Sequence, residues 1–247
     1  MARRIGLAAA LVLVAFLAGS VRARSAPAVL VYPPDRHALN APHVLTRREQ
    51  VTLIARSRPG RTVAVRSAPN GPVVARLSSR TEFGSPETLA VARALPGRRF
   101  AVVSTALPNG RLGWVDASPG ALRLSRTRVT LDVDLSRRLL RVRAGARVVR
   151  RIRVGIGAPG TPTPVGRFAV TDKLDGAAFS PVYGCCILAL SAHQTHPPNG
   201  WTGGDRIAIH GGSTAGAVTT GCLHASTAAL RYLMRSVPLG AQVLIHP

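Results

Sequence analysis

Cys222 lies in the run Thr219-Thr220-Gly221-Cys222-Leu223-His224, downstream of a strand-like segment, Arg206-Ile207-Ala208-Ile209, that ends at His210-Gly211-Gly212. A thiol between a glycine and an apolar residue, with an imidazole close in sequence, is the minimum apparatus for thiolate nucleophilic catalysis. Chemistry dictates these residue types. A thiol near its reference pKa is ionised only to a few per cent at neutral pH, so it needs an imidazole to take its proton and backbone N–H groups to meet the developing oxyanion. Gly221 lets the chain turn tightly and lets a substrate approach the peptide plane. A buried thiol and a hydrogen-bonded core histidine would leave the same trace, so the pair alone does not decide between enzyme and scaffold.

The elements around the pair are legible. Ser226 can cap a helix over residues 227–235, and Leu230, Leu233 and Met234 recur at helical spacing on one face, which would hold the Cys222 loop on a rigid support. Upstream, Val129, Leu131 and Val133 alternate with Thr130, Asp132 and Asp134, and further strands follow around a Gly145 turn. Pro238-Leu239-Gly240 turns the chain into a last strand over 242–246. Alternating β-α units are absent, so this part is mainly β with one helix rather than a parallel α/β sheet.

Four motifs sharpen the reading: Leu131-Asp132-Val133-Asp134; the run Gly157-Ala158-Pro159-Gly160-Thr161-Pro162-Thr163-Pro164-Val165-Gly166-Arg167-Phe168; Ile209-His210-Gly211; and Gly221-Cys222. With them, residues from about 130 to 245 resemble the YkuD-type L,D-transpeptidase catalytic domain, a bacterial cell-wall enzyme. The resemblance implies a β-rich fold, Cys222 as nucleophile, His210 as its base and the Gly211 carbonyl orienting the imidazole. It also implies an oxyanion hole from the N–H groups of Gly221 and Cys222, and a substrate groove bordered by Tyr183 and Gly184. Peptidoglycan stem peptides are the implied substrates, carbapenems the implied acylating inhibitors, and no cofactor is implied. This sequence departs from the family pattern twice: Thr220 stands where a second histidine is usual, and His224 where an arginine or asparagine is usual. Both positions face substrate in the family, so the departures bear on specificity more than on chemistry. Trp201, before the His210 strand, is a further candidate for the groove wall.

Ahead of this domain, short apolar runs at 51–55, 62–66, 73–77, 89–92, 100–103 and 114–115 are cut by turns such as Ala68-Pro69-Asn70-Gly71 and Pro108-Asn109-Gly110. That spacing is that of a small all-β barrel. Val63-Ala64-Val65-Arg66-Ser67-Ala68-Pro69 and Gly110-Arg111-Leu112-Gly113-Trp114-Val115 resemble the first and last strands of a bacterial SH3-like domain, with Trp114 expected in its core. The organisation expected is a signal peptide or N-terminal anchor over 1–25, a linker over 26–50, the SH3-like domain over 51–124 and the catalytic domain over 127–247. The amino terminus rests on Arg3-Arg4, the apolar stretch 5–21 and small residues at cleavage spacing, which place the protein outside the cytoplasm, in the cell wall or periplasm.

The formal charge is +23, and Lys173 is the only lysine among 33 basic residues. Aromatics make up 4%, too few for the stacking platforms of a nucleic-acid binder, so anionic wall polymers are the better match for the charge; an arginine-rich composition is also what a GC-rich genome would produce. Three cysteines leave at least one without an intramolecular partner. Cys185 and Cys186 sit in an apolar, strand-like run; they are expected to be small buried hydrophobes, or to point to opposite faces with one towards the groove. No cysteine or histidine spacing suits a metal. Three functions fit the sequence: L,D-transpeptidation, L,D-carboxypeptidation with water as acceptor, and non-catalytic wall binding by the N-terminal domain.

Overall fold

Alternating apolar residues separated by Gly and Pro turns fold into strands throughout the computed structural model, which describes residues 50–117 and 120–247. The export segment and nearly all of the linker expected over 1–50 lie outside the described residues. The first unit comprises β1 (Thr52–Ser57), β2 (Val63–Arg66), β3 (Val73–Leu77), β4 (Thr88–Leu95), β5 (Arg99–Val102), β6 (Gly113–Asp116) and β7 (Leu122–Thr127). They form one antiparallel sheet in the order β3-β2-β6-β5-β4-β1-β7 around a core that includes Val65, Phe100, Val102 and Val115. Trp114 is not in that core. Gly113 and Val115 occupy the buried face of β6, and the strand's alternation leaves Trp114 partly exposed on the other.

The second unit comprises β8 (Val129–Asp134), β9 (Leu139–Ala144), β10 (Arg147–Arg153), β11 (Ile156–Gly157), β12 (Gly166–Asp175), β13 (Cys186–His193), β14 (Arg206–His210), β15 (Ala217–Thr219), β16 (Leu223–His224), α1 (Thr227–Ser236) and β17 (Gln242–His246). Eight strands make a mixed sheet ordered β10-β9-β8-β17-β12-β13-β14-β16, while β11 and β15 pair separately. The β8–β17 and β14–β16 pairings are parallel. Helix α1 starts at Ser226, whose Oγ accepts the Ala229 N–H at 3.4 Å, and it buries Ala229, Leu230 and Leu233. Met234 is only partly buried against the same core.

On β8 the polar positions are as buried as the apolar ones. Asp132 lies 2.9 Å from Arg143 Nε and 2.8 Å from His246 Nε2, and Asp134 lies 3.1 Å from Arg141 Nη2, so the carboxylates of β8 are paired with arginines of β9 inside. The two units meet along β1, β4 and β12, where Ala90, Val103 and Ala169 form a small shared cluster. Gly240, at φ +76°, sits so close to this seam that a Cβ would fall 2.8 Å from Thr88 Cγ2 and 2.9 Å from Ile54 Cγ2.

Candidate active site

β14 carries the site. Its neighbour β16 runs parallel to it with Ile209 opposite Leu223 and His210 opposite His224, and β13 flanks the other side with Leu188 opposite Ile209. This register delivers Cys222 to the strand: its Sγ accepts the Ala208 N–H at 3.4 Å, and His210 follows Ala208 by two residues. His210 is almost wholly buried, and its Nδ1 donates to the Gly211 carbonyl oxygen at 2.7 Å, since a carbonyl can only accept. The neutral ring therefore keeps Nε2 as the acceptor. The Tyr183 ring meets it edge-on at 4.9 Å between centroids, and the His224 ring lies against it at 4.7 Å, tilted by 57°.

Burial acts on both reacting groups. It pushes the His210 imidazole down to about 4, helped by the nearby His224 charge and opposed by the Gly211 hydrogen bond. It pushes the Cys222 thiol up, with the Ala208 N–H opposing. At rest the thiol and the imidazole are both uncharged, with Cys222 Sγ held on the Ala208 N–H two residues before His210. His224 is likewise held below its ordinary value by burial.

The loop bearing Cys222 is stapled from within. Thr219 Oγ1 donates to the Cys222 carbonyl at 2.6 Å and accepts the Gly221 N–H at 3.0 Å. The Gly221 amide is thus turned inward onto Thr219, not outward to a substrate oxygen. The Gly/Pro/Thr run wraps the same loop: Thr161 Oγ1 and the Ala158 N–H both donate to the Thr219 carbonyl at 2.9 Å. From the end of β13, Gln194 Nε2 donates to the Thr220 carbonyl at 2.6 Å. Sequence reasoning missed Thr219, Thr161 and Gln194 because all three act on backbone groups.

Of the residues singled out from the sequence, Cys222, His210, Gly211, Gly221, His224, Tyr183 and Gly184 gather here. Gly211 packs against Tyr183 and Gly184 so tightly that a Cβ on Gly211 would fall 2.8 Å from the Tyr183 carbonyl oxygen. Thr220 is adjacent but its residue is exposed. Trp201 is exposed, and its indole N–H donates to the Gly204 carbonyl at 3.1 Å. Cys185 and Cys186 are neither independent buried hydrophobes nor aimed at opposite faces: they form a disulfide with each other, Cys185 lying in the turn just before β13, which leaves Cys222 as the free thiol. Among the described residues no group of three or more His, Cys, Asp or Glu is placed to hold a metal ion.

Residues 128–245 match the family model of the L,D-transpeptidase catalytic domain, YkuD. The matched segment begins at β8 and ends in β17, and it contains every residue of the site just described. No match was found among curated proteins. Among solved structures, an Enterococcus faecium L,D-transpeptidase is 21% identical over 47% of this chain and 49% of its own, with a TM-score of 0.36. An L,D-transpeptidase of Xylanimonas cellulosilytica is 27% identical over 48% of this chain and 60% of its own, with a TM-score of 0.36. Mycobacterium tuberculosis L,D-transpeptidase 3, solved with a faropenem-derived adduct, is 16% identical over 64% of this chain and 98% of its own, with a TM-score of 0.38. The chain spans about half the length of the Enterococcus relative.

Proposed function

We infer that the chain is a peptidoglycan L,D-transpeptidase that works through a Cys222 thioester. The observation that carries this is a partly buried free thiol held on the Ala208 N–H, two residues before an imidazole kept neutral and oriented by the Gly211 carbonyl, inside the segment that matches the L,D-transpeptidase domain. His210 Nε2 takes the thiol proton as Sγ attacks the carbonyl on the L-configured centre of the third stem residue. The oxyanion that forms is assigned to the Cys222 amide, because the Gly221 amide is engaged by Thr219. Collapse breaks the peptide bond, and imidazolium returns the proton to the departing D-alanine nitrogen. His210, neutral again, then removes a proton from the acceptor amine of a neighbouring stem as that amine displaces the thiolate.

Tyr183 and Gly184 form the wall of the groove in this reading. His224 leans on His210, so its effect is exerted on the base, where the family's arginine or asparagine would meet substrate. The finer assignments belong to the same proposal: an SH3-like domain over 51–124, a catalytic domain over 127–247, and a wall or periplasmic location after export. Among the described residues no helix is long and apolar enough to cross a membrane. Exposed Arg147, Arg151 and Arg153 on the edge strand β10 offer a surface to anionic wall polymers.

The test is product analysis with a disaccharide tetrapeptide as donor and acceptor. Cross-linked dimers formed with loss of one D-alanine are expected. Tripeptide monomers alone would convert the assignment to L,D-carboxypeptidase, and unchanged substrate would favour wall binding without catalysis.

A further inference from the structure

Gln194 stands at the junction of the two units and the nucleophile loop. Its Nε2 donates to the Thr220 carbonyl at 2.6 Å and reaches the Pro162 carbonyl at 3.4 Å, while its Oε1 accepts the His196 N–H at 2.9 Å, which fixes the amide's orientation. The Thr220 carbonyl and the Gly221 N–H belong to one peptide unit. That unit is gripped at both ends, by Gln194 at its oxygen and by Thr219 Oγ1 at its nitrogen, at 3.0 Å. Its plane sets the direction of the next amide, that of Cys222. Gly221, at φ +114°, lies directly beneath the Gln194 amide and leaves no room for a Cβ there, so glycine and glutamine fit as a pair.

The residue before Gln194 is held by the N-terminal unit. Asn109, in the turn before β6, donates through Nδ2 to the His193 carbonyl at 2.6 Å and accepts the His193 N–H through Oδ1 at 2.9 Å. His193 Nε2 donates to the Thr105 carbonyl at 2.8 Å, and the Gln194 N–H donates to the Asp205 carbonyl at 2.6 Å. Both faces of the 193–194 segment are therefore committed.

We propose that Gln194 is a positioning residue for the Cys222 loop, and that the N-terminal unit contributes to acylation by docking Asn109 onto His193. This deepens the transpeptidase reading and rests on it for the acylation arm of its test. The mechanism is steric and dipolar: releasing the Thr220 carbonyl frees the 220–221 peptide to rotate, which misdirects both the Cys222 amide and the thiol. Misplacement on the scale of 1 Å costs about 100-fold in rate.

The full chain is compared with Gln194→Ala, Gln194→Glu and Asn109→Ala, and with the Gln194→Ala/Asn109→Ala double variant, each checked for a cooperative melt. Gln194→Glu keeps the shape but sets a carboxylate against two carbonyl oxygens. The maximal rate of carbapenem acylation at saturating drug is expected to fall roughly 10- to 100-fold in both Gln194 variants, with half-saturation little changed. Asn109→Ala is expected to lower the same rate less, and to add nothing in the Gln194→Ala background. Cys222 alkylation by iodoacetamide is expected to move the other way, several-fold faster, because a loosened loop exposes the partly buried thiol further. Folded Gln194 variants with wild-type acylation and alkylation rates would overturn the proposal. So would full additivity of the Asn109 and Gln194 effects. If the wild type takes no carbapenem, the transpeptidase reading fails by itself, and alkylation alone decides the role of Gln194.

Discussion

Burial moves Cys222 and His210 towards their uncharged forms, the thiol upwards and the imidazole down to about 4. A resting thiolate–imidazolium pair is thereby disfavoured, and proton transfer accompanies attack. Carbapenem acylation is accordingly expected to be level from about pH 5.5 to about pH 8, its acid limb appearing only as His210 protonates near 4. Iodoacetamide alkylation, which needs the thiolate, is expected to be still rising at about pH 9. A plateau of alkylation near neutrality, together with an acid limb of acylation close to the ordinary histidine value, would contradict this. The pair was legible in the sequence as a candidate, because a thiol and an imidazole are particular residue types at an identifiable spacing. Gln194 and Thr219 were not, because any suitably placed donor serves a backbone carbonyl and no spacing rule marks it. The Cys185–Cys186 bond was equally hidden: strand alternation separates neighbours, whereas here Cys185 lies in the turn before β13 and Cys186 opens the strand.

Elements with one buried face were read well, and those that break the alternation were not. Helix α1 and the final strand β17 follow directly from helical spacing and from the Pro-Leu-Gly turn. β7 was missed as Leu122 and Leu124 alternate with arginine and serine, a pattern equally suited to a linker; its six register pairs with β1 make it the edge of the first sheet. β8 misled in the opposite sense, since its aspartates are buried with arginine partners from β9. A similar burial of charge occurs where β4 meets β12. Glu87, just before β4, is raised to about 7, first by burial and then by the Asp172 carboxylate, with Arg206 opposing. Its folded value lies above the ordinary 4.5, so the folded protein retains the proton between the two. The stability that Glu87 contributes is therefore greatest below about 4.5 and is lost as pH rises to about 7. Glu87→Gln removes that ionisation and is expected to raise Tm by several degrees at about pH 8 while matching the wild type near pH 4.5. An equal shift at both pH values would remove Glu87 as the source.

At the scale of the whole molecule, a basic chain with a charge of +23 places two separately cored β units side by side and puts its reactive loop within reach of both. Asp172, Arg206, Glu82 and Thr81 tie the seam below β14, and Asn109 with His193 tie it beside the loop. The seam therefore does more than join two folds, since the strand that carries His210 begins at an arginine bound across it. The β-rich character of the first unit followed from turn spacing, but the contacts between the two units did not, because they join residues far apart in the chain through side chains that look like ordinary surface polar groups. The proposed mechanism stands or falls on Cys222 as the nucleophile. Of the three cysteines it is the free one, so a single mass measurement addresses it cleanly. Intact-protein and peptide mass spectrometry after incubation with a carbapenem is predicted to show one drug mass on the peptide containing Cys222 and none in a folded Cys222→Ser protein. An adduct on another residue, or an unmodified wild type, would contradict the account.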